Sequence, residues 1–227
     1  GMIGDGTQFI DLQDPVTCLN NLVINKPGGI CYIKSGDLST SRIYIYSGTL
    51  SCDNGPSPTA THNIMCNHGF ENQAGPSGFD ASTGKITFNG WGTIISPNGT
   101  VFNILEINSL NSNLKISGEV TCANYDWTSG GIEVLEGATF TANELADDLM
   151  KGRFICQENG TMNLTNAGDL AFVDLAGELY NYGGTFNLYG SSCRWPASYN
   201  SAKVVMTSGT IDFKTCGLDI RDHAYDL

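Results

Sequence analysis

Three stretches decide the reading of this chain: GTMNL at 160–164, GTFNL at 184–188 and GTIDF at 209–213. Each is a glycine, a threonine and a run in which apolar and polar residues alternate. Looser versions lie upstream as GTVFN from Gly99, GEVTC from Gly118 and GATFT from Gly137, and successive glycines are 19, 19, 23, 24 and 25 residues apart. One strand-like phrase per period in the twenties is the mark of a solenoid, in which each repeat is a coil stacked on the one before. The residues ahead of each glycine alternate as well, in the pairs Leu114/Ile116, Ile132/Val134, Phe154/Cys156, Tyr180/Tyr182 and Val205/Thr207. Each repeat therefore reads as strand, tight turn, second strand and looser return, with one strand face buried. Behind the glycines the inward residues are expected to be Val101, Val120, Met162, Leu164, Phe186, Leu188, Ile211 and Phe213. The Gly137 phrase is one residue out of phase, and a bulge is expected to absorb the slip.

A meander of hairpins would need no fixed period. A coil must make the same turn once per rung, which accounts for the recurring Gly-Thr, since glycine tolerates positive φ. Nine or ten rungs at about 4.8 Å would give a rod roughly 45 Å long. The first 85 residues follow the pattern less regularly, with two rungs in LVINKPGGICYIKSG and RIYIYSGTLSC. Residues 53–80 are rich in Pro, Gly and Asn and read as a loop excursion from a single domain spanning 1–227. A short helix is expected within 142–151, capped by Thr141 or Asn143 and stopped by Gly152.

Composition excludes several functions. Acids outnumber bases by 23 to 11, and the net charge of −12 repels nucleic acid and anionic membranes. No stretch is long and apolar enough to span a bilayer, so membrane insertion is not expected. Gly1 before Met2 reads as a cloning remnant, and the opening residues lack the basic segment and apolar core of a signal peptide. Charged residues are only 15% of the chain, with Gly, Asn, Ser and Thr in their place, which favours β structure. The eight cysteines are an even number, fitting an oxidising compartment or, alternatively, small core residues.

By period and turn phrase the chain resembles the right-handed parallel β-helix proteins, the pectin-lyase-like superfamily. The resemblance covers residues 84–217 well and 20–52 loosely. It implies an all-β, single-stranded right-handed parallel β-helix and an extracellular or cell-surface location, shared by polysaccharide enzymes, adhesins and phage-tail proteins. A phage-tail member would be a homotrimer; no cofactor is expected, calcium being the ion that the superfamily's enzymes often add.

Those enzymes work with clustered carboxylates, for which Asp147, Asp148 and Asp212 are the candidates here. Asp147 and Asp148 sit on the expected helix, where early acids and a late lysine are ordinary dipole matching. Aligning the rungs puts Asp212 at the end of an asparagine ladder with Asn187 and Asn163, which is a structural device. No hydrolase or lyase activity is therefore expected. Cys52, His62, Cys66 and His68 have the donor types of a zinc site, but a Cys52–Cys66 disulfide pinning the loop is the simpler reading. Cys193 and Cys216 are one rung apart and could bridge, and Cys18 and Cys31 could staple the first coil. Among the aromatic residues Tyr182, Tyr189 and Trp195 are the candidates for stacking on sugar rings, with core packing as the alternative. The leading expectation is a non-catalytic scaffold that binds a glycan or other cell-surface ligand. A polysaccharide-cleaving enzyme and a structural spacer are the alternatives.

Overall fold

Val120 lies opposite Phe140, Phe140 opposite Met162, Met162 opposite Phe186 and Phe186 opposite Ile211, all in parallel ladders. The glycine phrases thus stack in successive rungs. These positions belong to a computed structural model that describes residues 2–3, 6–12, 18–145, 149–166, 174–175, 177–190, 192–195 and 203–220. Its strands are β1 (Met2–Ile3), β2 (Gln8–Asp11), β3 (Cys18–Ser35), β4 (Leu38–Ser51), β5 (Ile64–Asn72), β6 (Phe79–Asp80), β7 (Lys85–Phe88), β8 (Gly92–Val134) and β9 (Thr139–Ala142). They continue as β10 (Leu149–Met150), β11 (Arg153–Cys156), β12 (Thr161–Thr165), β13 (Asp174–Leu175), β14 (Glu178–Tyr189), β15 (Ser192–Trp195), β16 (Lys203–Phe213) and β17 (Gly217–Ile220). They coil into an all-β parallel solenoid of about eight turns, close to the nine or ten expected. The long strands β8 and β14 turn at glycines of positive φ, Gly99, Gly118 and Gly130 in β8 and Gly183 in β14, so one strand supplies more than one face.

A second row precedes the turn, with Ile132 on Phe154, Phe154 on Leu179 and Leu179 on Val204. Nearer the N-terminus the row contains Ile43, Phe70 and Ile94. Two short ladders, β10 on β13 and β15 on β17, form on the return path. Alternation sends Ile, Leu, Val, Phe and Cys into one continuous core, and the outward positions carry Thr, Asn, Tyr and charges.

The tight turn explains the phase slip. Gly160 N donates to Gln157 O (3.0 Å), with Asn159 in the left-handed region at φ 56°; Ala138 N donates to Leu135 O (3.0 Å), with Gly137 at φ 68°. Gly137 is therefore the counterpart of Asn159, not of Gly160. The phrases fall into register through the turn itself, and no bulge is needed between Val120 and Phe140.

Four expectations are corrected. Val101 is 51% exposed and Phe102 fully buried, so that rung takes the opposite phase. Tyr180 and Tyr182 point outward, with Leu179 and Asn181 inside. Asn181 can be buried because it absorbs the turn's hydrogen bonds: its Nδ2 donates to Gly184 O and Thr210 O, and its Oδ1 accepts from the N–H groups of Gly183 and Gly184. The excursion at 53–80 is also shorter than expected, since Ile64–Asn72 is a rung that pairs with β4, β7 and β8. An extra residue in β5 between Cys66 and Gly69 breaks its period-2 pattern. Finally, the expected helix at 142–151 begins and ends in β structure: Ala142 closes β9, Leu145 bridges Tyr125, and Leu149–Met150 is strand β10. Its central residues 146–148 lie outside those described. The helical element among the described residues is a single 3-10 turn at Pro76–Gly78.

Tyr125 packs in the core between Phe140 and Phe154, with ring centroids 6.0 and 5.5 Å away, and its hydroxyl is buried without a protein partner. Burial pushes its phenol well above the usual range. An unpaired buried hydroxyl costs about 1–3 kcal/mol. Tyr125→Phe is accordingly expected to leave stability unchanged or to raise it by about 1 kcal/mol. Urea denaturation decides this, and a loss of that size would mean that the hydroxyl has a partner after all.

Candidate functional site

The residues singled out by sequence do not converge. Asp147 and Asp148 lie outside the described residues. Asp212 sits half-buried on β16, held to Lys214 by an ion pair of 2.5 Å. It ends a ladder in which Asn187 Nδ2 donates to Asn163 Oδ1 (2.8 Å) and Asn163 Nδ2 to Thr141 Oγ1 (3.1 Å). Its neighbours along the row are amides and a hydroxyl, so this row offers one carboxyl where sugar hydrolysis needs two facing each other.

Cys52 and Cys66 are both free, buried thiols, so the expected bridge between them is not formed. The cause is the rung at β5: Cys66 is an interior residue whose Sγ donates to Gly69 O (3.0 Å). Burial pushes the Cys52 thiol up to about 12 and the Cys66 thiol to about 11, which disfavours the thiolate a metal would need. The two histidines diverge: His68 Nδ1 is 2.8 Å from Ser41 Oγ, whereas His62 Nδ1 is 4.0 Å from Asp37 Oδ1. Among the described residues no three His, Cys, Asp or Glu side chains are grouped to hold a metal. Cys31 is likewise a free core thiol, so the expected staple to Cys18 is not formed either; the Cys18 side chain lies outside the described residues. Tyr182 is 38% exposed beside Tyr180 (6.1 Å between centroids), and Tyr189 is half-buried beyond the next turn. The Trp195 side chain lies outside the described residues.

A different set of side chains does assemble. Outward residues of β4, β5 and β8 line a groove of about 370 Å³ that holds Arg42, Tyr44, His68, Glu71, Trp91 and Lys115. Register builds it: Arg42, Gly69 and Thr93 stand in one row, with Tyr44, Glu71 and Ile95 in the next. Gly69 leaves the floor open between two side-chain-bearing rungs. Trp91 is 66% exposed and forms a wall, its ring edge-on to His68 at 5.6 Å. Ser41 fixes the other side of that imidazole. Tyr44 stacks on Tyr46 (6.1 Å) and its hydroxyl accepts from Arg42 Nη1 (3.3 Å). Glu71 accepts from Gln73 Nε2 (2.9 Å), while Lys115 has no carboxylate partner among the described residues.

A second groove of about 320 Å³ continues along the same face. The row runs on through Gly131, Arg153 and Glu178, and Asn113, which lines the first groove, lies against Gly131. Leu110 and Trp127 flank it over a floor of Gly130, Gly152 and Gly177. Even a methyl group on Gly152 would lie 2.2 Å from Trp127 Nε1, so only hydrogen fits under the indole. Arg153 Nε and Glu178 Oε2 close the far end with a 2.9 Å ion pair, which holds the Glu178 carboxyl below its usual range.

Arg42, Tyr44, Glu71 and Lys115 were not candidates from sequence, because they come from rungs that only the stack brings together. Trp91 carried a local signal, an indole between Gly90 and Gly92. Side chains at those glycines would lie 2.0 Å from Asn67 O and His68 O, so the backbone passes too close for anything but glycine, and the tryptophan is left facing out. Comparison with family models, curated proteins and solved structures gave no match.

Proposed function

We propose that this chain is a non-catalytic β-solenoid scaffold of the pectin-lyase-like type that binds a carbohydrate chain along its side face. A cell surface or a phage tail is its place of work. The observation that carries the reading is the Trp91 groove. An exposed indole and a tyrosine pair flank polar groups of both signs and an amide. That combination suits a pyranose, whose faces are apolar and whose edges carry hydroxyl donors and acceptors. The second groove adds Trp127 and a flat glycine floor on the same face, room for further sugars of a polymer. The spacing of the rungs, about 4.8 Å, sets the repeat of these features along the rod.

Isothermal titration against a panel of neutral and acidic glycans tests the proposal. At least one glycan is expected to bind, and Trp91→Ala is expected to weaken it about 10- to 100-fold, the effect of removing an aromatic anchor. Reducing-end assays on the bound glycan are expected to show no cleavage. Binding that survives Trp91→Ala unchanged would move the site elsewhere. Turnover abolished by Asp212→Asn would replace the scaffold by an enzyme.

A further inference from the structure

The two grooves meet at a pair of glycines. Ser112 lines the second groove, and the next residue, Asn113, lines the first. Gly130 and Gly131, on the following rung, lie against that pair. A methyl group on Gly130 would be 2.1 Å from Ser109 O and 2.6 Å from Ser112 O. One on Gly131 would be 2.4 Å from Arg153 O and 2.7 Å from Asn113 Oδ1. Close packing of the backbones keeps both positions bare, so neither can raise a side chain as a partition.

Two features of this seam have no use within the fold. The first is an apolar ridge, for Leu110 is 77% exposed and Trp91 66%. Ser109 Oγ donates to Gly90 O at 2.5 Å, so the residues that follow, Leu110 and Trp91, stand on neighbouring rungs at one corner. The ridge continues past the seam to Trp127. Contiguous exposed apolar side chains of this kind mark a surface that something covers. The second feature is Asn113. Its Oδ1 is buried against Gly131 without a hydrogen-bond partner, which costs stability. With the oxygen turned to the floor, the Nδ2 end of this half-buried amide is left to face the groove.

We propose that the two grooves are one binding path for a linear glycan long enough to cross the seam, with Asn113 and Leu110 holding the sugar that lies there. This rests on the carbohydrate reading above. The path takes in three rungs from Arg42 to Thr93, the rung of Asn113, and three more from Gly131 to Glu178. At about 4.8 Å per rung it is about 29 Å from end to end, room for several sugar rings in line. Between its charged ends the row is Gly69, Thr93, Asn113 and Gly131, all of them short and uncharged. A ring over the seam rests one face on Leu110, while Asn113 Nδ2 donates to one of its oxygens. A chain that fills the first groove enters the second without the cost of a separate encounter, so affinity climbs with length.

The test is titration calorimetry on the full chain with disaccharide and hexasaccharide pairs from cellulose, xylan, mannan, chitin and polygalacturonate. For a glycan that binds, the hexasaccharide is expected to bind at least tenfold more tightly than the disaccharide. Asn113→Ala should weaken the hexasaccharide about 3- to 10-fold, the effect of one neutral hydrogen bond, and the disaccharide less. Leu110→Ala, a change at an exposed position that leaves the core intact, should show the same dependence on length. A hexasaccharide no tighter than its disaccharide, or variants that weaken both lengths equally or neither, would overturn the proposal and leave the Trp91 site in place. Binding by none of the pairs would overturn the carbohydrate reading and this proposal with it.

Discussion

Gly118→Ala is expected to destabilise the protein by about 3–5 kcal/mol, seen as a large drop in the urea midpoint. Gly118 holds φ at 89°, where an L residue is strained, and the added carbon would lie 2.1 Å from Ser96 O, 2.5 Å from Ser96 C and 2.9 Å from Pro97 N. All three are backbone atoms of the rung below, so no rotamer change relieves the contact. Two rungs would have to separate at a corner in the middle of the stack. Gly137→Ala is the control: φ there is 68°, but the new carbon meets nothing within 4 Å. That variant should lose only the conformational part, about 1 kcal/mol. Equal losses at the two sites would show that torsional strain alone governs these turns and that the rungs are not as closely packed as described.

Phe70→Ala is expected to cost about 3–5 kcal/mol. Its ring is buried and packs edge-on against Phe79 (5.2 Å) and Phe102 (5.3 Å), which are themselves 5.4 Å apart. Truncation removes two ring contacts and opens a cavity between Ile43 and Ile94, whose backbones are fixed by ladders on both sides. The variant also tests the position of β5. In a loop standing off the stack the same change would cost well under 1 kcal/mol, and a loss that small would restore the excursion at 53–80. Tyr46→Ala, on the outer face, is the reference for a harmless truncation.

The parts of the fold legible in sequence are those set by one rung at a time. Gly-Thr followed by alternation at 160, 184 and 209 gives strands, turns and a period, and the stack of Met162, Phe186 and Ile211 follows from it. Legibility fails where a local pattern has two phases and the neighbouring rung chooses between them. Val101 and Phe102 are both apolar, and the aromatic cluster with Phe70 and Phe79 takes Phe102. Asn181 looks like a surface residue until the carbonyls of Gly184 and Thr210 are set beside it. In β5 an extra residue hides a rung inside a stretch that composition marks as loop.

The candidate site divides in the same way. Trp91 has a local signal, since the pair of glycines around it forces it outward whatever its partners. Arg42, Tyr44, Glu71 and Lys115 have ordinary surface surroundings in sequence, and the cysteine–histidine quartet that looked like a site is split, with the two thiols in the core and His68 held outside it against Ser41 and Trp91.

By itself, then, the sequence determined the class of structure. Glycine conformational freedom and side-chain alternation act over two to five residues, and they repeat. The tertiary structure decided which face of each strand is inside and which side chains share a groove. Those choices rest on contacts between residues 19 to 29 positions apart, whose register depends on turn and bulge lengths that no single repeat contains.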